Sequence, residues 1–471
     1  MERFFKKTSE FIFQKQKGIF SSAIIISLMI VLSSLSGFLR YRILAGYFNK
    51  DQLDIFFAAF RIPDLIYEIL ITGAITSTFI PIYLKYKNNQ KDLSENISSI
   101  INLILLVLTI LIIITLFFIK PIITFITPGY NQAKLQQIIN FSRILLFGQL
   151  PFFILANFLT GIGQANKIFF LSAIAPVIYN LTTIIFTILF HKNFGLNAAI
   201  YGVVLGSFFL FLIQLPLLFQ SNFIYKLIIK KTTGLIEFFK LIGPRILTVI
   251  TAQIDATIDL ILTTFMGSGS YTIFYFAQHL QLLPVSVIGI AFGQASLPYL
   301  TELYQEKKMT EFRKIITDSI LNLLFLIMPI AAFFIFARTP LIRFFFGGQK
   351  FDWSATVQTA ITLSYFSFGL PFHTIYYFLT RCFYAMMNSK IPFYASLISI
   401  IINTLLSLIF VFIFHLPVWS LGISFSIAIM LNSLILFFIL TKKIDQFNFL
   451  FIIKEIFKIF FSLIIASIIA Y

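Results

Sequence analysis

The chain reads as an all-α, polytopic transmembrane helical bundle: two six-helix lobes related by an internal repeat, plus about one extra C-terminal helix. Three observations predict this. Apolar runs of about 20 residues, the length a helix needs to cross a bilayer, recur from end to end. The composition is 59% hydrophobic and 11% charged, with 62 Phe and a mean hydropathy of +0.95. A soluble domain of 471 residues would need far more polar surface to cover its core. Finally, the stretch 54–87 is echoed at 271–304, which divides the chain into halves.

The first 17 residues, MERFFKKTSEFIFQKQK, are basic and enter the first apolar run without a small-residue cleavage pattern. They predict a retained cytoplasmic lead (1–17), not a cleaved signal. Spans then follow near 20–46, 54–84, 96–119, 138–162, 168–191 and 196–219, forming an N-terminal lobe over 18–231. A C-terminal lobe over 232–443 holds spans near 238–266, 271–300, 315–338, 355–386, 391–414 and 418–441. A thirteenth, near 449–471, lies in an appended segment, 444–471. The longest stretches between spans, such as 120–137 and 220–237, are too short to fold alone. Function must therefore reside among the helices or at their mouths.

The repeat has an offset of about 217 residues. Each copy starts with aromatics, carries a polar pair one to two turns in, then a proline and a glycine, and exits at Pro81 or Pro298. Repeated helices interrupted by Pro and Gly are a mark of secondary transporters, whose sites lie between the repeats. Both copies enter the membrane from the same side, so the repeat is parallel.

The net charge of +17 raises the question of nucleic acid, but its distribution answers it. With the N-terminus in the cytoplasm, 19 Lys and Arg outside the spans fall inside the cell, against six outside: Lys50, Lys120, Lys134, Lys192, Arg343 and Lys350. That is the positive-inside pattern. The charge orients the protein, and no nucleic-acid partner is expected. The single cysteine, Cys382, excludes an internal disulfide and a cysteine-built metal site. Four scattered histidines and no acidic cluster at a membrane face give no reason to expect an enzyme.

Ionisable groups inside hydrocarbon are costly, so those present usually face a cavity or a partner. Arg40 and Arg42 near the outer end of helix 1 either snorkel to the interface or line a hydrated cleft. Asp54 either caps helix 2 or holds one of these arginines. Arginine suits a phosphate ligand because its planar fork donates two parallel hydrogen bonds. Arg61, Asp64 and Glu68 share one face of helix 2 and predict an intrahelical ion-pair ladder. Asp255 and Asp259, one turn apart in mid-membrane, repel if both are ionised. They either share a proton or cation or pair with an arginine such as Arg245. Oxygen ligands suit hard cations, and Gln253, Thr257, Asn403 and Ser407 are further candidates. His279 is either a packing residue or part of a cavity lining.

The stretch SGFLRYRILAGYF…DIFFAAFRIPDL…GAITSTFIPIY resembles the lipid II flippase MurJ (MviN) family of the multidrug/oligosaccharidyl-lipid/polysaccharide exporter superfamily. TPGY at 127–130, GPRILTVITAQI at 243–254 and GSGSYTIFYFAQHLQLLPVSVIGIAFGQASLPYL at 267–300 continue the likeness. The resemblance implies two six-helix lobes around a cationic cavity that moves lipid II, the undecaprenyl-pyrophosphate-linked precursor, from the cytoplasmic to the outer leaflet by alternating access. It places the protein in the bacterial inner membrane among membrane lipids, with the lipid tail in a groove formed by extra C-terminal helices. Relative to the usual family form this chain is expected to be one helix short.

Site residues follow residue by residue. Arg40 and Asp54 match the family's helix 1 arginine and helix 2 aspartate, and Arg61 stands where a basic residue is common. Ser34, Tyr67 and His279 occupy positions where the family has arginine, and Arg42 compensates for one of them. Substrate binding is therefore assigned to Arg40, Asp54, Arg42, Arg61 and His279. Cation coupling, by Na⁺ or H⁺, is assigned to Asp255, Asp259, Asn403 and Ser407, with Asp255, Asp259 and Asn403 as the Na⁺ ligands. Competing expectations are export of another lipid-linked oligosaccharide, cation-coupled drug export, a scaffold that binds the precursor without moving it, and a membrane transferase.

Overall fold

A computed structural model describes residues 19–72, 78–221, 223–444 and 454–463. The basic lead and most of the appended C-terminal segment lie outside the described residues. Helices account for nearly all of what is described. They are α1 (Ile19–Tyr47), α2 (Lys50–Tyr67), α3 (Ile80–Tyr86), α4 (Gln90–Phe117), α5 (Ile119–Ile126), α6 (Gln132–Gly148), α7 (Leu150–Ala165), α8 (Phe170–Phe194), α9 (Leu196–Leu212) and α10 (Pro216–Phe219). After an extended linker come α11 (Thr233–Phe265), α12 (Ser270–Pro284), α13 (Ala291–Gln305), α14 (Met309–Phe336), α15 (Arg338–Phe346), α16 (Trp353–Ala385), α17 (Lys390–Leu408) and α18 (Trp419–Ile444). Residues 454–463 are also helical. Among the described residues, eight helical stretches are long and apolar enough to cross a membrane.

Two compact units divide the chain, 1–261 with 348–350, and 262–347 with 351–471, so the division falls within α11. In the first unit α9 packs along α8, and the sequence Gly202-Val-Val-Leu-Gly206 makes this possible. A Cβ at Gly202 would stand 3.1 Å from Thr183 Cα, and one at Gly206 only 2.7 Å from the Tyr179 carbonyl. Small residues four apart let two helix backbones approach where lipid supplies no hydrophobic drive. The second unit centres on α16, which packs against α14, α12 and α18 over a fully buried set including Phe312, Phe378, Leu379 and Phe383.

The repeat expected from sequence is also written in the backbone. The α2 helix runs into a wide π-turn at Glu68–Thr72, and α12 runs into another at Val285–Ile290. Their starts differ by 285 − 68 = 217 residues, the offset of the sequence repeat. Such turns carry one extra residue in the helix and recur at functional sites. Ion pairs join residues at the helix ends and in the segments between helices. Lys134 pairs with Asp51, Lys85 with Glu237 at 2.6 Å, and Lys230 with Glu95 at 3.1 Å.

Candidate functional site

In the first unit the site is built on α1, α2, α7, α8 and α11. Asn49 caps α2: its side chain accepts from Gln52 N (2.9 Å), and Gln52 Oε1 accepts from Asn49 N (3.2 Å). Asp54 is therefore not the cap. It lies in the second turn of α2 and is completely buried.

Arg40 is half-buried on α1, and its guanidinium carbon stands 5.0 Å from the ring centre of Tyr41 and 5.3 Å from that of Tyr179 on α8. Aromatic faces attract a cation through the ring quadrupole. From Tyr179 the contacts run on to Phe153 (5.1 Å between ring centres), from Phe153 to Tyr67 (5.7 Å), and from the Tyr67 hydroxyl to Asn157 Nδ2 (2.7 Å). An aromatic and hydrogen-bonding wall thus extends from Arg40 to Tyr67. Arg42, two residues further along α1, is exposed.

Arg61 does not build the expected ladder. Among the described residues it forms no ion pair with Asp64 or Glu68, although Asp64 lies within electrostatic reach of Arg61, Glu68 and Arg40. Its donors go to α11 instead. Arg61 Nε donates to Thr257 Oγ1 (3.0 Å), and one terminal nitrogen donates to the Gln253 carbonyl (2.6 Å) and to Gln253 Oε1 (2.8 Å). Thr257 Oγ1 in turn donates to the same Gln253 carbonyl (2.7 Å), which closes a ring of hydrogen bonds. The oxygens of Gln253 and Thr257, expected from sequence to be available to a cation, are engaged by a guanidinium. Asp255 is half-buried and Asp259 buried on the same helix.

In the second unit, His279 stacks on Tyr275 with ring centres 3.8 Å apart. Its Nδ1 lies 2.9 Å from the Tyr275 carbonyl, which can only accept, so Nδ1 carries the proton. Asn403 and Ser407 are buried one turn apart on α17. Ser424 Oγ donates to the Leu421 carbonyl (3.0 Å), so Ser407 is the donor in its 2.6 Å hydrogen bond with Ser424. Asp255 and Asp259 in the first unit offer carboxylate oxygens, the ligand type that a hard cation such as Na⁺ prefers and a soft metal does not, while Asn403 and Ser407 belong to the second unit. Among the described residues, no three His, Cys, Asp or Glu side chains cluster as a metal site.

Two features of the site escape a reading of the sequence. One is the Tyr179–Phe153–Asn157 wall: single aromatics among 62 Phe and 19 Tyr carry no periodic signal. The other is the buried pair of Gln281 and His373, whose Nε2 and Nδ1 lie 3.2 Å apart in the core of the second unit. The same unit also contains an apolar cleft of about 670 Å³. Leu324 and Met328 of α14, Phe368 and Phe372 of α16, and Ile456 and Phe460 of the C-terminal helix line it.

The lipid II flippase MurJ family model matches residues 45–471. A probable lipid II flippase MurJ from Buchnera aphidicola subsp. Acyrthosiphon pisum is 27% identical over 431 residues, covering 89% of this chain and 83% of the relative. A solved lipid II flippase MurJ in an inward closed conformation superposes with a TM-score of 0.80 at 26% identity, covering 95% of this chain and 92% of the other. An inward-facing multidrug resistance MATE family transporter of the MOP superfamily shares the fold alone. Its TM-score is 0.75 at 14% identity, with 88% of this chain and 94% of the other covered.

Proposed function

The chain belongs to the lipid II flippase MurJ family, and from that membership we propose that it carries lipid II across the bacterial inner membrane. Transport runs from the cytoplasmic to the outer leaflet by alternating access, with the N-terminus in the cytoplasm. The observation that carries the assignment of the site is Arg40, whose guanidinium lies beside two tyrosine rings with Asp64 in electrostatic reach.

The pyrophosphate of lipid II needs a planar bidentate donor, and Arg40 supplies one, held in orientation by the rings. Arg42 adds a donor on α1, His279 is the second unit's donor for the substrate, and Asp54 positions the α1–α2 corner. Arg61 lends positive charge while its own donors hold α11. The apolar cleft beside the C-terminal helix suits a polyprenyl tail, which needs a long hydrocarbon surface and no polar partners. Asp255 and Asp259 are the coupling carboxylates, sharing a proton or Na⁺ that neutralises their mutual repulsion. Asn403 and Ser407 contribute the second lobe's polar pair to the same coupling.

The test is to deplete the native lipid II flippase of a bacterium while expressing this chain. Rescue by the wild type, and none by membrane-inserted Arg40→Ala, is the expected result. Rescue by both would refute the site. No rescue by correctly inserted wild type would move another lipid-linked glycan to the front.

A further inference from the structure

The linker between α10 and α11 does more than connect them. Residues 223–232, FIYKLIIKKT, are neither helix nor strand. They climb the side of α4 and return. Ile224 N donates to Ser94 Oγ (3.1 Å) and Lys226 N to Ser98 Oγ (2.9 Å). Asn102 Nδ2 then donates to the carbonyls of Lys226 (2.8 Å) and Ile228 (2.9 Å). On the way back Lys230 N donates to Ser99 Oγ (3.1 Å) and Gly234 N to Asn96 Oδ1 (2.9 Å). The rise along α4 from Ser94 to Asn102 is about 12 Å.

The top of the climb is Leu227. Ile228 N donates to the Lys226 carbonyl (2.9 Å), closing a three-residue turn around it. The direction of the climb matters. α4 begins with the polar QKDLSEN and continues as the apolar IINLILLVLTILIIITLF. Leu227 is therefore the part of the linker nearest the hydrocarbon. Irregular backbone is tolerated at such depth only where its polar groups have protein partners. The Ser94–Ser98–Ser99–Asn102 stripe provides them.

What the linker turns away from α4 is apolar and basic. Leu227 is 87% exposed, Ile224 56% and Ile229 52%. Lys226, Lys230 and Lys231 flank them, with Glu95 the acid that meets Lys230 (3.1 Å) and Glu237 the acid that meets the nearby Lys85 (2.6 Å). Of the two aromatics, Phe223 is buried, and the Tyr225 hydroxyl donates to Asn102 Oδ1 (2.5 Å) while the residue stays 47% exposed.

We propose that residues 223–232 form a membrane-inserting loop that seats Leu227 in the bilayer interface and gathers anionic phospholipid headgroups through Lys226, Lys230 and Lys231. The combination of an apolar tip with a ring of lysines is what an anionic lipid surface recognises, since lysine stems lie along apolar surface while their ammonium groups reach the headgroups. Each lysine near an anionic surface shifts such an equilibrium about fivefold. The inference requires only that the chain sits in a bilayer and does not depend on what it transports.

The test uses the full chain with Leu227→Cys carrying an environment-sensitive fluorophore, in nanodiscs of phosphatidylcholine with or without phosphatidylglycerol. Cys382 is completely buried, so the labelled wild type gives the background. The expected result is blue-shifted emission that bromine-labelled acyl chains quench, more strongly with phosphatidylglycerol present. Lys226→Gln with Lys231→Gln, which leaves the Lys230–Glu95 pair intact, should lower that lipid-dependent gain by about 25-fold in the insertion equilibrium. Emission typical of water in both lipids would overturn insertion. Quenching equal in both lipids would overturn anionic recognition. Blue-shifted emission that no lipid quencher reaches would mean that protein, not lipid, covers the tip.

Discussion

Arg61 offers the sharpest test of the site, because its role is stated in individual hydrogen bonds. Thr257→Val removes the acceptor of the Arg61 Nε bond (3.0 Å) together with the hydroxyl that donates to the Gln253 carbonyl. Arg61→Lys keeps the charge but loses the fork, leaving one ammonium to serve Gln253 alone. Hydrogen bonds to charged groups contribute about 1.5–3 kcal/mol, so each single variant should lose on the order of 2 kcal/mol. Both substitutions break the same ring. The double variant should therefore lose less than the sum, with a coupling of about 1–2 kcal/mol. The assay is unfolding in mixed micelles by SDS titration for the four members of the cycle. Losses that add within about 0.3 kcal/mol would refute the claim that Arg61 and Thr257 form one network.

Gly206→Ala would push a methyl to within 2.7 Å of the Tyr179 carbonyl. It should cost about 1–3 kcal/mol and reduce rescue of flippase depletion by displacing the ring beside Arg40, as checked by melting and complementation together. Ala332→Trp, which fills part of the apolar cleft, should abolish complementation while leaving the melting temperature near wild type. Asp259→Asn should leave the fold intact and remove the dependence of lipid II translocation in proteoliposomes on an imposed ion or proton gradient. An unchanged gradient dependence would exclude it from coupling.

Much of the fold was legible because membrane helices advertise themselves. The apolar run near 196–219 became α9 and α10, and the helix beginning near 391 starts at Lys390. The start of helix 2 was misplaced, since apolar periodicity begins near Asp54 but the helix begins at Lys50, where the Asn49–Gln52 capping box starts it. Local side-chain spacing suggested that Arg61 would pair along its own helix. It reaches instead 192 and 196 residues away, to Gln253 and Thr257, and no local pattern encodes a partner at that distance. The residues beside Arg40 show the same limit. Arg40 stands out as a charge in an apolar run, whereas Tyr179 becomes meaningful only once Gly202 and Gly206 bring α9 against α8.

The two wide turns 217 residues apart, with a third at Ile409–Ile413, also limit which residues the chain can lose. Deleting one residue from Val285–Ile290 would restore an ordinary helix but rotate everything beyond it by about 100°. Leu300, now buried in the core of its unit, would turn out of that packing. With the surrounding helices packed around the extra residue, the helix cannot shed it alone.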